Sequence, residues 1–321
     1  MLKTNIFLFL KGVAMGTVNK IPGVSGGTVA FVTGIYEDLL NSIKKINFTS
    51  FNILFSQGFK AFYREINGKF LTIVFSGVIV SFFSVSLILD RLIEKYELYV
   101  FGLFFGMIVG SFYVIYYQLE KINTKSLIGV TIGIISGLSI SLADSYDVGT
   151  SDLIIFFSGV IAISGMILPG LSGSYLLLLM GNYTLIMVDS VNALYFTLIE
   201  SLSFDFTFVN DPERLYLLKV LILFTLGSIF GLVFLSNVLS SLLKNYKTIT
   251  ISIIVGFIAG SLIGVWPWKN EDMTGSLSLF IPDFSISQTW ITIFNILIGI
   301  LFVVLLERLA NRNWDIEENL V

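Results

Sequence analysis

The segments Pro22-Gly23-Val24-Ser25-Gly26 and Pro169-Gly170-Leu171-Ser172-Gly173 place the same chemistry at two points in the chain. Each has a proline without an amide, glycines that admit close approach to the backbone, and a serine hydroxyl that both donates and accepts. Gly27 and Thr28 extend the first copy and Ser174 extends the second. Pro22 can end an incoming helix and begin an outgoing one, whose free first amides and dipole would suit an anionic group such as phosphate. Lys20, two residues earlier, could neutralise that anion; the other reading is a side chain reaching for the interface, which is the stronger reading for Lys11. Glu37, Asp38 and Asp189 stand in or beside the apolar arms and are the candidates for proton or ion coupling. Glu37 could equally cap the mouth of the arm or pair with Lys44.

The two segments are aligned copies. The differences 169 − 22, 170 − 23, 172 − 25 and 173 − 26 all equal 147, and Gly12 with Gly159, Gly34 with Gly181 and Tyr36 with Tyr183 keep that offset. Farther along, Gly77 with Gly227, Tyr96 with Tyr246, Gly106 with Gly256, Gly110 with Gly260 and Ser111 with Ser261 share an offset of 150. The last helix of each half aligns poorly, because a loop containing Pro267 and Pro282 has grown in the second half.

The surroundings are apolar. The 321 residues are 55% hydrophobic and 13% charged, with a mean hydropathy of +0.89, against about 25% charged in soluble domains. Runs at 71–89, 98–116, 217–235 and 291–306 approach or reach the roughly 20 residues of a spanning helix, and the 10-residue alternation of a membrane barrel is missing. This is an all-α polytopic membrane protein. With no cysteine and no histidine there are no disulfides, no thiolate metal sites and no imidazole shuttle, so proton chemistry falls to carboxylates. No catalytic residue, metal or cofactor is expected. A net charge of −3 without a basic run gives no reason to expect nucleic acid as a partner. The N-terminal run leads straight into the first motif without a small-residue cleavage site and reads as mature chain.

In order, the chain offers a hairpin of two short arms over 7–40 and an amphipathic helix over 51–66 lying in the headgroup plane. Crossing helices are expected over 70–92, 98–118 and 126–142. A second hairpin over 153–188 follows, then an acidic loop over 189–213 and crossings over 214–243, 249–266 and 289–306. Lys44, Lys60, Lys121, Lys125, Lys244, Lys247, Arg308 and Arg312 fall on one side, which places both termini in the cytoplasm. Three crossings per half is an odd number, so residues 1–146 and 147–321 form two inverted repeats, each a hairpin plus three helices. The shortness of the arms favours re-entrant hairpins from opposite faces, though two full crossings would give the same sidedness. Trp266 and Trp268 read as an interfacial belt.

Small residues in membrane helices more often serve packing than binding, and Gly106 with Gly110 or Gly256 with Gly260 are read as helix contacts. The Pro-Gly-x-Ser-Gly pair is different: packing does not call for a proline beside the glycines in the same register twice, and a buried break in a helix leaves amides unpartnered.

Gly12-Val13-Ala14-Met15-Gly16, the stretch 21–28 and Gly34-Ile35-Tyr36-Glu37, with the stretch 167–174, resemble the PopT polyprenyl-phosphate transporter family, long catalogued as domain of unknown function 368. The likeness spans essentially the whole chain. It implies a translocase returning undecaprenyl phosphate from the outer to the inner leaflet of the bacterial cytoplasmic membrane. The substrate residues read from the motifs are Lys20, Gly23, Ser25, Gly26, Gly27, Thr28, Gly170, Ser172, Gly173 and Ser174; Lys20 stands where the resemblance implies a small or acidic residue, so its role is not carried over. The competing readings are a transporter or channel for a small soluble anion, an intramembrane lipid phosphatase or transferase, for which the sequence offers no nucleophile with a base and no metal cage, and a structural membrane scaffold.

Overall fold

The computed structural model describes residues 2–23, 25–46, 48–117, 119, 123–142, 151–167, 172–271 and 277–318. Gly170 and Pro169, and most of the connectors at 120–125 and 144–152, lie outside the described residues.

The first arm is α1 (Leu2–Lys20), which ends just before the turn holding Pro22. Proline commonly follows a helix end because it cannot continue the ladder. The outgoing helix α2 (Gly26–Val32) begins four residues after Pro22, so Pro22 stops one helix without starting the next, in contrast to the expectation above. The outgoing arm is also not one helix. Gly34, at φ +66°, breaks it, and α3 (Tyr36–Lys44) restarts beyond. The single amphipathic helix expected over 51–66 is likewise two, α4 (Phe48–Gln57) and α5 (Phe59–Glu65), divided by Gly58 at φ +84°. In both places a left-handed backbone, which a glycine adopts without strain, terminates the helix.

α6 (Gly68–Tyr117) is helical over 50 residues, about 75 Å, more than twice the hydrocarbon thickness, and bends at Tyr96 (φ −137°, ψ 38°) between the two expected crossings. α7 (Thr124–Leu142) completes this half.

The second half repeats the pattern with α8 (Asp152–Ile167) and α9 (Gly173–Leu179), then a break at Gly181, φ +71°. A π-helical segment (Thr184–Asp189) runs directly into α10 (Ser190–Leu202). The acidic loop expected from residue 189 is therefore helix to residue 202, and Asp189 lies inside a helical run. The Ser86 hydroxyl bridges the Met187 and Val188 carbonyls at 3.1 Å each, supporting the segment where its backbone departs from the α ladder. α11 (Pro212–Ser261) is again 50 residues and bends at Tyr246 (φ −135°, ψ 35°), 150 residues after Tyr96. A short antiparallel pair, β1 (Lys269–Glu271) and β2 (Leu277–Leu279), which the all-α expectation lacked, precedes α12 (Ser287–Glu318).

Four described helical runs, Gly68–Tyr117, Thr184–Leu202, Pro212–Gly231 and Ser287–Leu309, are long and apolar enough to cross a membrane. The protein is a multi-pass membrane protein.

Packing recurs at the sequence offsets. A Cβ on Gly12 would overlap the Val74 carbonyl and one on Gly159 the Phe224 carbonyl; Gly77 faces Phe9 and Gly227 faces Phe156 in the same manner. Gly106 and Gly110 seat the backbone of α12 at Ile296 and Ile300, while Gly256 and Gly260 seat α7 at Val130 and Ile134. The differences 296 − 130 and 300 − 134 are both 166, so the last helices correspond after all, displaced by the grown loop. Each packs on the middle helix belonging to the other half.

The chain forms two compact units, one of Met1–Lys20, Ser25–Val85 and Leu305–Val321, the other of Ile21–Val24 and Ser86–Val304. The core of the second wraps the start of α9, where Tyr175 and Leu176 are buried among Ile108, Ile115, Ile254 and Ile258.

Candidate functional site

The tip of the first turn and the start of α9 bond to each other inside the second unit. The Gly23 amide donates to Ser172 Oγ at 2.8 Å, and Ser174 Oγ donates to the Ile21 carbonyl at 3.1 Å. Ser172 also caps α9 by accepting the Tyr175 amide at 3.2 Å, and lies 3.3 Å from Ser174 Oγ. The hydrogens follow from these partners: Ser172 accepts two amides, so its own proton goes to Ser174, whose proton goes to Ile21. Gly23 sits at φ +91°, and a Cβ there would crowd Met107 and Ser111 of α6. Ser111 Oγ closes the turn from that side through a short bond to the Gly23 carbonyl, with the Met107 carbonyl 3.0 Å away as its alternative acceptor. Its duplicate Ser261 donates to the Ile258 carbonyl at 3.0 Å and takes the Tyr175 phenol proton.

The first unit holds the remaining motif residues in a separate network. The Gly26 amide donates to Asn19 Oδ1 at 2.8 Å, the Gly27 amide to Ser25 Oγ at 3.2 Å, and the Thr28 amide to the Ser25 carbonyl at 3.1 Å. The first amides of α2, expected to be free, are thus occupied in this state, because an amide away from water needs an acceptor. Gly26 packs against the Asn19 side chain and Gly173 against the Ala162 carbonyl, whereas Gly27 has room for a methyl group.

Lys20 does not reach for an interface. It is fully buried, its ammonium 4.1 Å from the Phe82 ring centroid. Lys11 is also turned inward, donating to the Thr33 carbonyl at the end of α2, where a cation meets the negative pole of the helix. Glu37 and Asp38 are exposed in the first turn of α3, the favourable end for acids, and Asp189 is half-buried at the end of the π segment.

The structure therefore brings together Gly23, Ser172 and Ser174, and leaves Glu37, Asp38 and Asp189 out of that network. Ser111, Tyr175, Ser261 and Asn19 were not among the sequence candidates. Ser111 and Ser261 did carry a signal, a serine following Gly-x-x-x-Gly at the same offset in both halves.

No solved structure matches the chain significantly. A polyprenyl-phosphate transporter of Vibrio cholerae is 33% identical over 262 residues, covering 82% of this chain and 78% of that protein. A polyprenyl-phosphate transporter of Staphylococcus aureus is 30% identical over 298 residues, covering 87% and 94%. Residues 15–279 match a family described as undecaprenyl phosphate translocase-like, a match that includes both turns and α6 to α11. The chain belongs to this undecaprenyl phosphate translocase-like family.

Proposed function

We propose that the protein returns undecaprenyl phosphate from the outer to the inner leaflet of the bacterial cytoplasmic membrane, with both termini in the cytoplasm. The observation that carries this reading is the Gly23 to Ser172 hydrogen bond, which joins the first turn to the start of α9. The two halves are inverted repeats whose hairpins enter from opposite faces, and their rocking exposes the paired turns to each leaflet in turn. A lipid phosphate would take over the Gly23 amide and the hydroxyls of Ser172 and Ser174, which the first turn and the start of α9 now spend on each other; the Gly26, Gly27 and Thr28 amides, now held by Asn19 and Ser25, are the further donors of the first motif. Gly173 at the start of α9, with Gly170 of the same motif, and Lys20 as the balancing charge complete the proposed set. Exchanging polar partners for phosphate oxygens leaves few groups unpaired in either state, and charged acceptors gain about twice the strength of neutral ones. Of the three carboxylates, Asp189 is the coupling candidate, being half-buried in a helical run; Glu37 and Asp38 serve the start of α3.

Uptake of lipid phosphate into proteoliposomes tests this directly. Ser25→Ala combined with Ser172→Ala is expected to reduce it by at least about tenfold, the effect of losing one or two bonds to a charged group. Unchanged uptake rejects the phosphate site, and equal passage of inorganic phosphate without lipid favours a soluble-anion carrier.

A further inference from the structure

A cleft of about 760 Å³ with both charged and apolar walls lies in the second unit, with Glu97, Phe101, Tyr183, Trp268, Lys269 and Asp283 among its lining. Against it runs an apolar groove of about 410 Å³ walled by Phe105, Leu262 and Leu279. Trp266, Phe280 and Ile281 belong to both, so the two form one amphipathic depression. Trp268 is buried, and Trp266 meets Phe105 edge-on at 5.4 Å, so these tryptophans build the depression instead of merely marking an interface.

The depression connects to the turns along one face of α6. Glu97 and Phe101 line the cleft, Phe104 follows, then Met107 and Ser111, which touch Gly23; these positions recur every three or four residues. Phe104 is 1% exposed, and its ring meets that of Tyr183 at 5.5 Å, edge to face. Tyr183 itself lines the cleft, so this pair stands between cleft and turns. Gly181 at φ +71°, with open space beside it, and the π segment directly after Tyr183 give the pair a hinge.

We propose that cleft and groove form a loading port for an isoprenoid-chain phosphate, head group in the cleft and chain in the groove, closed off from the paired turns by Phe104 and Tyr183. The proposal rests on the transport reading and names an earlier station of the same lipid. The amphipathic pairing selects a ligand with one polar and one apolar end. Lys269, whose ammonium donates to the Gly264 carbonyl at 3.1 Å, supplies the cation, and Thr184, Gln288 and Thr289 add polar groups. The Asp283 carboxylate accepts the Ser285 amide at 2.9 Å. Glu97 opposes an anion and keeps the head group loosely held, as a station that must release its cargo forward requires.

Farnesyl phosphate, a short soluble member of the ligand class, is the probe. In detergent, the full-length chain with Trp290→Phe and Trp314→Phe reports through Trp266 and Trp268. Farnesyl phosphate is expected to give a saturable fluorescence change, weakened about fivefold by Lys269→Ala and strengthened by Glu97→Gln, with farnesol and inorganic phosphate at least about tenfold weaker. No saturable change, or equal binding of inorganic phosphate, overturns the port. The closure is tested separately. Met107→Cys, in a chain without other cysteines, should react with a maleimide at least about fivefold faster when Tyr183→Ala is added, or Phe104→Leu where the first variant is not monodisperse. Unchanged labelling in both overturns the closure. A silent port in a protein whose lipid uptake still depends on Ser25 and Ser172 overturns the port alone; a responsive port in a protein that moves no lipid phosphate supports the port and refutes the transport reading.

Discussion

Ser172 accepts two backbone amides that have little water near them, Gly23 from the other turn and Tyr175 from its own helix. Its removal therefore affects the fold as well as any ligand. Ser172→Ala leaves both amides short of an acceptor, at about 1–3 kcal/mol each, and is expected to lower the thermal midpoint in detergent by several degrees, whereas Ser172→Thr keeps the oxygen and stays close to the parent. A midpoint unmoved by Ser172→Ala would mean that the turns do not depend on this bond. The serine was legible from its duplicated spacing, because a proline-glycine-serine turn inside apolar sequence has few other uses. Ser111, Tyr175 and Asn19 were not, since Ser111 and Asn19 bond to backbone atoms and Tyr175 to the distant Ser261 hydroxyl, and such partners leave no residue pattern in the sequence.

Among the elements, close helix contacts explain why particular glycines cannot change while neighbouring ones can. At Gly106 a Cβ would overlap the Ile296 carbonyl, a backbone atom that cannot swing aside, while at Gly27 the nearest atom is Ser25 Oγ at 3.4 Å. Gly106→Ala is expected to destabilise the protein by about 1–3 kcal/mol by prising α12 from α6, and Gly27→Ala to leave the midpoint nearly unchanged. Equal midpoints for the two would contradict the packing described. The reading of these glycines as helix contacts agrees with the packing, and the apolar runs expected between 70 and 118, from 214 and from 289 are long helices, whereas the run Thr184–Leu202 was not expected. The breaks were harder. Gly34, Gly58 and Gly181 end helices through a backbone twist that hydrophobic spacing does not register. The α10 segment reads as loop from its flanking acids, Asp189 and Glu200 to Glu213, although Val191, Leu194, Leu198 and Leu202 recur at helical spacing.

For the whole molecule, the sidedness of the loops is the testable quantity. A chain without cysteine accepts single reporters, and the inverted arrangement proposed here predicts that a cysteine at Gln57 and one at Phe206 in intact cells react with an impermeant reagent from opposite sides, the second from outside. Labelling of both from the same side would refute the inversion. The duplication was legible at offsets of 147 and 150 because glycines and tyrosines mark it. The offset of 166 was hidden, since the last helices share few landmarks beyond Gly133 and Gly299 and a lengthened loop moves the second away from its register.

That exchange of last helices, α12 against α6 and α7 against α11, bears on how such a chain could arise. A peptide of half this length would present an unfilled groove lined by Gly106 and Gly110, and the last helix of a second copy, running the same way across the bilayer, would fill it. On the inverted topology proposed above, two such copies in opposite orientations would complete each other. A fusion of two such copies would keep that pairing within one chain, here with the longer connection, around Trp266 and Trp268, in the second half only.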